Sequence, residues 1–376
     1  MSTFVKLEKL PDNPAKPDPA PRAIQPRAPR YNVELGRYLK KMEKNLCEGI
    51  AELWGGATVM KGRNAHGVAK CMREMWEQFV DPVAVGLDAT RFDQHVSVPA
   101  LGFEHSLYVA LTPEGRHRAK LKRLLQMQLR NRGYARAPDG SIKYEVDGRR
   151  MSGDMNTGLG NCCLMSAMMK GFCEKVGLTA RLANNGDDCV LVFERSHLGK
   201  LVGLEDYFLR LGFVMEIESP VFEFEKVDFC QTSPVWDGYR WVMVRNPWKS
   251  IDKDLVSVLD LGKGGGPKWA DAVGNCGLAI TGGIPVAQEL YALLLRSAQP
   301  GKVADHPWMD GGFQRMAEGM DRSYSKPTPE SRASFWRAFG ILPDLQQAIE
   351  DTWRSDTLVF SAGVRDSPLL LIQLIK

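Results

Sequence analysis

Residues 181–192 read RLANNGDDCVLV, two β-prone runs separated by Asn185-Gly186 and the adjoining acids Asp187 and Asp188. Asn-Gly between apolar runs is a strong short-range hairpin signal, so the stretch is expected to fold back as two antiparallel strands, 182–184 and 189–193. The acids at the tip repel each other and neither gains from burial. Paired Asp on a turn is by default a solvated tip. Chemistry at this turn therefore requires other segments to be brought to it.

Composition sets the frame for finding them. The chain has 376 residues, 44% hydrophobic and 25% charged, with a net charge of +4. That is ordinary for a globular protein with a sizeable core and room for two or three subdomains. The basic residues bunch in PRAIQPRAPR, RYLKKMEK and GRHRAKLKRLLQMQLRNRGYAR, and such clustering favours contact with a polyanion. The eight cysteines include no CxxC pair and no His partner at zinc-finger spacing, which reads as reduced, buried thiols. The six histidines lie far apart and suit no metal cluster. No charged-then-apolar signal opens the sequence, and the run LLLIQLI near the C-terminus falls short of the ~20 residues that a membrane span needs.

The first thirty residues are Pro-rich and are expected to be extended. Apolar residues from Val33 to Leu53 recur every three or four positions, which predicts a helix interrupted near Gly36, and a second helix covers 68–80. VAVGLDATRFD reads as a buried strand ending at Asp88. Helices are expected at 98–110 and 114–132, then a hairpin of IKYEV and RRM turning at Asp147-Gly148. TGLGNCCLMSAMMKGFCEKVG reads as a helix with small and Met-rich faces suited to packing on a sheet. A helix follows over 196–212 with Ser196 as its N-cap, then a strand, then a hairpin turning at Asp237-Gly238. Beyond residue 250 the pattern is helical. This order predicts an α+β fold, an antiparallel sheet backed by helices.

Three segments share one explanation. DATRFD places Asp88 at a strand end and Asp93 five residues on. SGDMNTGLGN opens the Met-rich helix, with Thr157 and Asn161 on one helix face. The third is the Asp187-Asp188 turn. Carboxylates that protrude without a salt-bridge partner are costly unless a cation neutralises them, and hard oxygen ligands of this kind suit Mg²⁺ together with substrate phosphates. Two such ions ~4 Å apart stabilise both oxygens of an in-line phosphoryl transfer. Asp88 and Asp187 meet if their strands are neighbours.

Asp88 with Asp93, then Ser152-Gly153 with Thr157 and Asn161, then Gly186-Asp187-Asp188 resemble motifs A, B and C of viral RNA-dependent RNA polymerases, in that order. The flanking text resembles the tombusvirus-like group of plus-strand RNA viruses: PRAIQPRAPRYNVELGRYLKKME is similar to motif F and VDFCQTSPV to motif E. Together these cover residues 21 to about 235. A lone GDD is weak, but three ordered motifs with matching internal spacing are specific.

The resemblance implies a right-hand polymerase: partial fingers over 1–80, an antiparallel-sheet palm over 81–235, and a mainly helical thumb over 236–376, placed by position alone. It implies template-directed RNA synthesis from NTPs on an RNA template and nascent strand, with two Mg²⁺ that Mn²⁺ can replace. Asp88 and Asp187 would be the main metal ligands and Asp188 a weaker or indirect one. Asp93, Ser152, Gly153, Thr157 and Asn161 would form the ribose-sensing set. Arg22, Arg27 and Arg30, with Arg37 and Lys40 beyond, would line the nucleotide channel. Phe229, Cys230 and Gln231 would support the end of the nascent strand. It further implies an accessory viral protein that recruits the enzyme to membrane-bound complexes in the host cytoplasm. Two departures stand out. The lysine that many such polymerases carry after motif C is missing, with Arg210 and Lys226 as substitutes, and a long fingers region would be expected ahead of motif F. A non-catalytic RNA-binding or scaffold protein that keeps a polymerase palm is the alternative reading.

Overall fold

The computed structural model describes residues 1–9, 20, 22–137, 140–258, 261–262, 264–301 and 311–360. Pro21 and the apolar run at 369–375 lie outside the described residues. Among the described residues no helix is long and apolar enough to cross a membrane.

Ten strands and thirteen α-helices alternate through the described residues. The N-terminal part carries β1 (Ser2–Val5), β2 (Ala23–Ile24), α1 (Pro29–Trp54) and α2 (Ala65–Trp76). The middle carries β3 (Pro82–Thr90), α3 (Phe92–His95), α4 (Val98–Ala110), α5 (Arg116–Gln126), β4 (Arg130–Ala137), β5 (Gly140–Asp147), α6 (Thr157–Val176), β6 (Ala180–Asn184), β7 (Asp188–Glu194), α7 (Leu204–Arg210) and β8 (Val214–Ile217). Next come β9 (Thr232–Trp236), β10 (Trp241–Arg245) and α8 (Pro247–Asp254). The helices α9 (Gly265–Thr281), α10 (Ala287–Arg296), α11 (Gly311–Ala317), α12 (Pro329–Phe339) and α13 (Pro343–Ser355) complete the chain.

The central sheet has the order β6-β7-β3-β8, and every pairing in it is antiparallel. Its two inner strands, β3 and β7, read as nearly unbroken apolar runs because both faces are buried. Val83, Val85, Leu87, Leu191 and Phe193 face one core, shared with α1, α4 and α6. Ala84, Val190 and Val192 face a second core, which includes Met72, Met75 and Trp76 of α2 and residues of β9, β10 and the C-terminal helices. The two-residue alternation sends successive side chains into opposite cores. The hairpin expected at 182–193 is present and neighbours the expected strand, which does not end at Asp88 but continues to Thr90 because Ala89 and Thr90 pair with β8.

Several expectations are corrected. Helix α1 runs uninterrupted through Gly36, where a Cβ would sit 3.4 Å from Met155 Cε, so the glycine marks close packing against the loop before α6. The helix expected over 114–132 ends at Gln126. From Arg130 the chain is β4, paired with β5 from Arg130↔Asp147 to Ala137↔Gly140, so Asp147-Gly148 lies at the far end of this hairpin from its turn. The expected partner RRM is no strand: Gly148, Arg149 and Arg150 donate backbone N–H bonds to Leu129, Val96 and Asp93 and lead the chain back to the central sheet. The physical reason lies in alternation. Arg132, Tyr134 and Arg136 are exposed while Asn131 and Gly133 are buried, a two-residue period that a run of basic residues hides in the sequence. The helix expected over 196–212 is a 3-10 turn (Arg195–Leu201) followed by α7, and Ser196 lies inside the turn instead of capping it.

The N-terminal segment is tied to the loop before α6. Gln25 N–H donates to Ser152 O at 2.7 Å, and Gly153, at φ +119°, leaves room for the backbone of Pro26, which a Cβ would approach to 3.0 Å. Arg27 closes the junction with an ion pair to Asp154, their side chains only 8% and 2% exposed. Its guanidinium also donates to Asn131 Oδ1 at 2.6 Å and lies over the Tyr31 ring. Removing one member of such a pair strands a buried charge. Arg27→Ala is therefore expected to lose about 3–5 kcal/mol of stability in urea denaturation. Arg27→Met combined with Asp154→Leu should recover most of it, because the pair as a whole adds little over apolar packing.

Candidate active site

The β3–β7 register sets Asp88 opposite Asp188, and Ala89 N–H approaches Asp187 O at 3.4 Å. The turn between β6 and β7 is pinned from inside. Asn184, fully buried, accepts from Gly186 N at 2.7 Å and donates to Cys162 O at 3.0 Å and Ser166 Oγ at 2.9 Å, both on α6. Gly186 sits at φ +110°, a conformation that favours glycine. The acids are thus presented on a pinned tip, with Asp88 and Asp187 exposed and Asp188 half-buried.

Their environment opposes charge. Burial raises the Asp88 pKa, and Asp187 and Glu216 raise it further. Burial also raises that of Asp187; its own backbone N–H counters this, Asp93 adds to it, and Arg22 opposes it. Asp188 is pushed up to about 6 by burial, against the stabilising bond from Cys230 and with added repulsion from Asp187 and Asp228. Among the described residues none of the three forms a salt bridge. Glu216 stands opposite Asp88 on the other side of β3, and the sequence reading missed it. The run MEIE, with Glu216 inside a short strand pattern, was the available signal.

The donor set fits a hard cation. Among the described residues no group of three or more His, Cys, Asp or Glu side chains is placed to hold a metal by itself. Asp88 and Asp187 instead offer the one or two carboxylates that Mg²⁺ takes when phosphates and water complete its shell. Asp188 is turned elsewhere. Its Oδ2 accepts the Cys230 N–H at 3.0 Å, while Asn185 Nδ2 donates to Cys230 Sγ at 3.2 Å. Cys230 and Gln231, at φ +53° and +63°, form a tight turn between Phe229 and Thr232, which exchange backbone bonds. Phe229 is buried beneath it. Of the three residues expected to support the nascent strand, Cys230 is fastened directly to Asp188, while Gln231 accepts from Lys253.

Beside the acids, Asp93 is held by two donors, Ser152 Oγ to Oδ2 at 2.7 Å and Asn161 Nδ2 to Oδ1 at 2.8 Å. Segments 59 and 68 residues away in sequence converge on this carboxylate. Thr157 is not part of the set: its hydroxyl bonds to Met151 O and Asp154 O at 3.3 and 3.0 Å and braces the loop. Gly153 contributes backbone shape only.

The basic segment divides. Arg22 pairs with Glu8 and lies near enough to Asp187 for the two charges to interact. Arg30 is exposed at the start of α1. Arg27 is corrected: locked on Asp154, it acts as a structural clamp and its guanidinium is not free for phosphate. Arg37 and Lys40 pair with Glu34 and Glu43 along α1. Arg210 and Lys226 form no salt bridge with the site acids among the described residues.

The raised carboxylates give a pH signature. Folded Asp188 holds its proton to about pH 6, whereas an unfolded chain releases it near pH ~4. The folded protein binds more protons between these values, so this contribution to stability grows as pH falls from 7 and levels off below ~4. Asp188→Asn, which keeps an acceptor for Cys230, is expected to raise the metal-free melting temperature by a few degrees at pH 7. The gain should shrink as pH falls toward ~4. Differential scanning fluorimetry across that range checks it, and an equal gain at both ends would contradict it.

The profile of the family described as viral RNA dependent RNA polymerase matches residues 1–360. A Tobacco necrosis virus (strain A) protein named RNA-directed RNA polymerase is 49% identical over 357 residues, 93% of this chain and 48% of that protein. Proteins of the same name from Melon necrotic spot virus and Carnation mottle virus are 45% and 46% identical, over 98% and 96% of this chain and 47% of each relative. The chain spans about half the length of the curated relatives it matches. With the ordered acids, the Asp93 set and a match over nearly its whole length, the chain belongs to the viral RNA-dependent RNA polymerase family, whose members use divalent metal ions.

Proposed function

We propose that this chain carries the catalytic part of an enzyme that synthesises RNA on an RNA template, transferring nucleotides from NTPs to a 3′-OH. The observation that carries the reading is the convergence of Asp88, Asp187 and Asp93 at one end of a sheet, where among the described residues none of these acids forms a salt bridge. Asp88 and Asp187 would hold two Mg²⁺, or Mn²⁺ in their place. Such ions, when bound, stabilise the attacking and leaving oxygens. The chain's own work is positioning and field. The buried sheet holds the carboxylates rigidly, and the low-dielectric walls behind them strengthen every interaction with a bound phosphate.

Asp93, with Ser152 and Asn161 on its two oxygens, keeps lone pairs free to accept a hydroxyl, which suits the ribose 2′-OH. Arg22, near Asp187, and exposed Arg30 would bind the triphosphate. The turn at Cys230 and Gln231 would support the 3′ end of the nascent strand. In right-hand terms, 81–235 is the palm, with partial fingers over 1–80 and a thumb over 236–376. An accessory viral protein would bring the enzyme to membrane-bound complexes in the host cytoplasm.

Incorporation of labelled UTP on a short RNA template with Mg²⁺ tests this directly. The chain is expected to extend RNA, and Asp187→Ala to lower the rate by about three orders of magnitude. Salt-sensitive RNA binding without incorporation would favour the RNA-binding or scaffold reading instead.

A further inference from the structure

A buried chain of hydrogen bonds runs from helix α4 to Asp93, and its two charged members belong to none of the motifs. Glu104 and Arg150 form an ion pair in which both side chains are 0% exposed. Arg150 Nη1 donates to Glu104 Oε1 at 3.2 Å, and Nη2 donates to Oε2. The remaining guanidinium donor, Nε, reaches Asn161 Oδ1 at 3.0 Å, and Asn161 Nδ2 in turn donates to Asp93 Oδ1 at 2.8 Å. Glu104 is braced from behind by Tyr108 Oη at 2.7 Å and Asn156 Nδ2 at 2.5 Å. Helix α6 passes this close because residue 160 is glycine; a Cβ there would lie 2.3 Å from Glu104 Oε1 and 2.5 Å from Arg150 Nη2.

Stability does not account for the arrangement, because a buried ion pair gains little over well-packed apolar side chains. Direction does. A guanidinium has donors and no acceptor, so only the amide oxygen of Asn161 can face it. The amide NH₂ is then turned toward Asp93. Were the amide reversed, its oxygen would meet the carboxylate and its NH₂ the guanidinium, and both contacts would be repulsive. With Asn161 on one oxygen and Ser152 on the other, the carboxylate of Asp93 is fixed as an acceptor with lone pairs left over.

We propose that Arg150, held by Glu104, is a positioning residue that sets the amide of Asn161 so that Asp93 accepts the 2′-hydroxyl of the incoming nucleotide and disfavours 2′-deoxynucleotides. The inference rests on the polymerase reading above. Arg150 touches neither Asp88 nor Asp187 and acts through Asn161.

The test uses Glu104→Gln combined with Arg150→Met, which removes both charges, keeps the volumes close and leaves an amide oxygen to accept from Tyr108 and Asn156. The ratio of kcat/KM for UTP to that for dUTP is expected to fall about ten-fold, the effect of losing one orienting hydrogen bond. A merely structural role would slow both substrates alike, and an unchanged ratio in the folded variant overturns the proposal. A second measurement needs no catalysis: hydrogen exchange of the Asn161 side-chain amide, assigned by its loss in Asn161→Ala. Exchange should be at least about ten-fold faster in the double variant, and equal rates overturn the positioning role. If the unmodified chain fails to incorporate UTP, the polymerase reading fails, and the exchange rates still decide whether Arg150 positions Asn161.

Discussion

The site depends on one register, the antiparallel pairing of β3 with β7 that sets Asp88 opposite Asp188. Nothing about the acids favours this pairing; they repel, and burial works against all three. What holds it is apolar burial on both faces of the sheet. Val83, Val85 and Leu87 fill one core, while small Ala84 and Gly86 alternate with them on the side toward the other. A slip by one residue would exchange large for small on both faces at once, so the register is strongly specified. The hydrophobic sheet thereby forces charges together that would separate in a looser structure. A bound cation would relieve that repulsion.

Around that register the chain has fastened its other parts by polar contacts made at long sequence range. Asp93 receives Ser152 and Asn161. The Asp188 carboxylate receives the backbone of Cys230. Arg27 clamps the N-terminal segment against Asp154, while backbone contacts around Gly153 align it with the same loop. The basic residues consequently fall into two kinds, those used to hold the segment in place, such as Arg27, and those left facing solvent or the acids, such as Arg30 and Arg22.

Much of the site was legible in the sequence because its elements carry local signatures. The Asn-Gly turn announces the hairpin beneath Asp187, and the strand ending near Asp88 is marked by a β-branched run. The start of α6 is marked by its glycine-containing loop. Other features were not legible. The β4–β5 hairpin was obscured because Arg130, Arg132 and Arg136 continue a basic helical pattern, and only burial of the intervening residues reveals the two-residue period. Thr157 shares a helix face with Asn161, yet its hydroxyl is taken by loop carbonyls, a competition that spacing does not show. Glu104 had one faint signal, a lone acid within an apolar helix, which calls for a buried partner.

The sequence by itself determined which residues are candidates for the chemistry and the order of the elements that carry them, because strand ends, turns and helix starts are set by local preference and spacing. It also determined the family. The tertiary structure alone decided which of those residues meet. It turned Asp188 toward Cys230, moved Arg27 from the expected channel to a buried clamp, and placed Arg150 behind Asn161. The reason is physical: the direction of a side chain in a shared cavity depends on donors and acceptors contributed by segments dozens of residues away, and local sequence holds no record of which of them will be there.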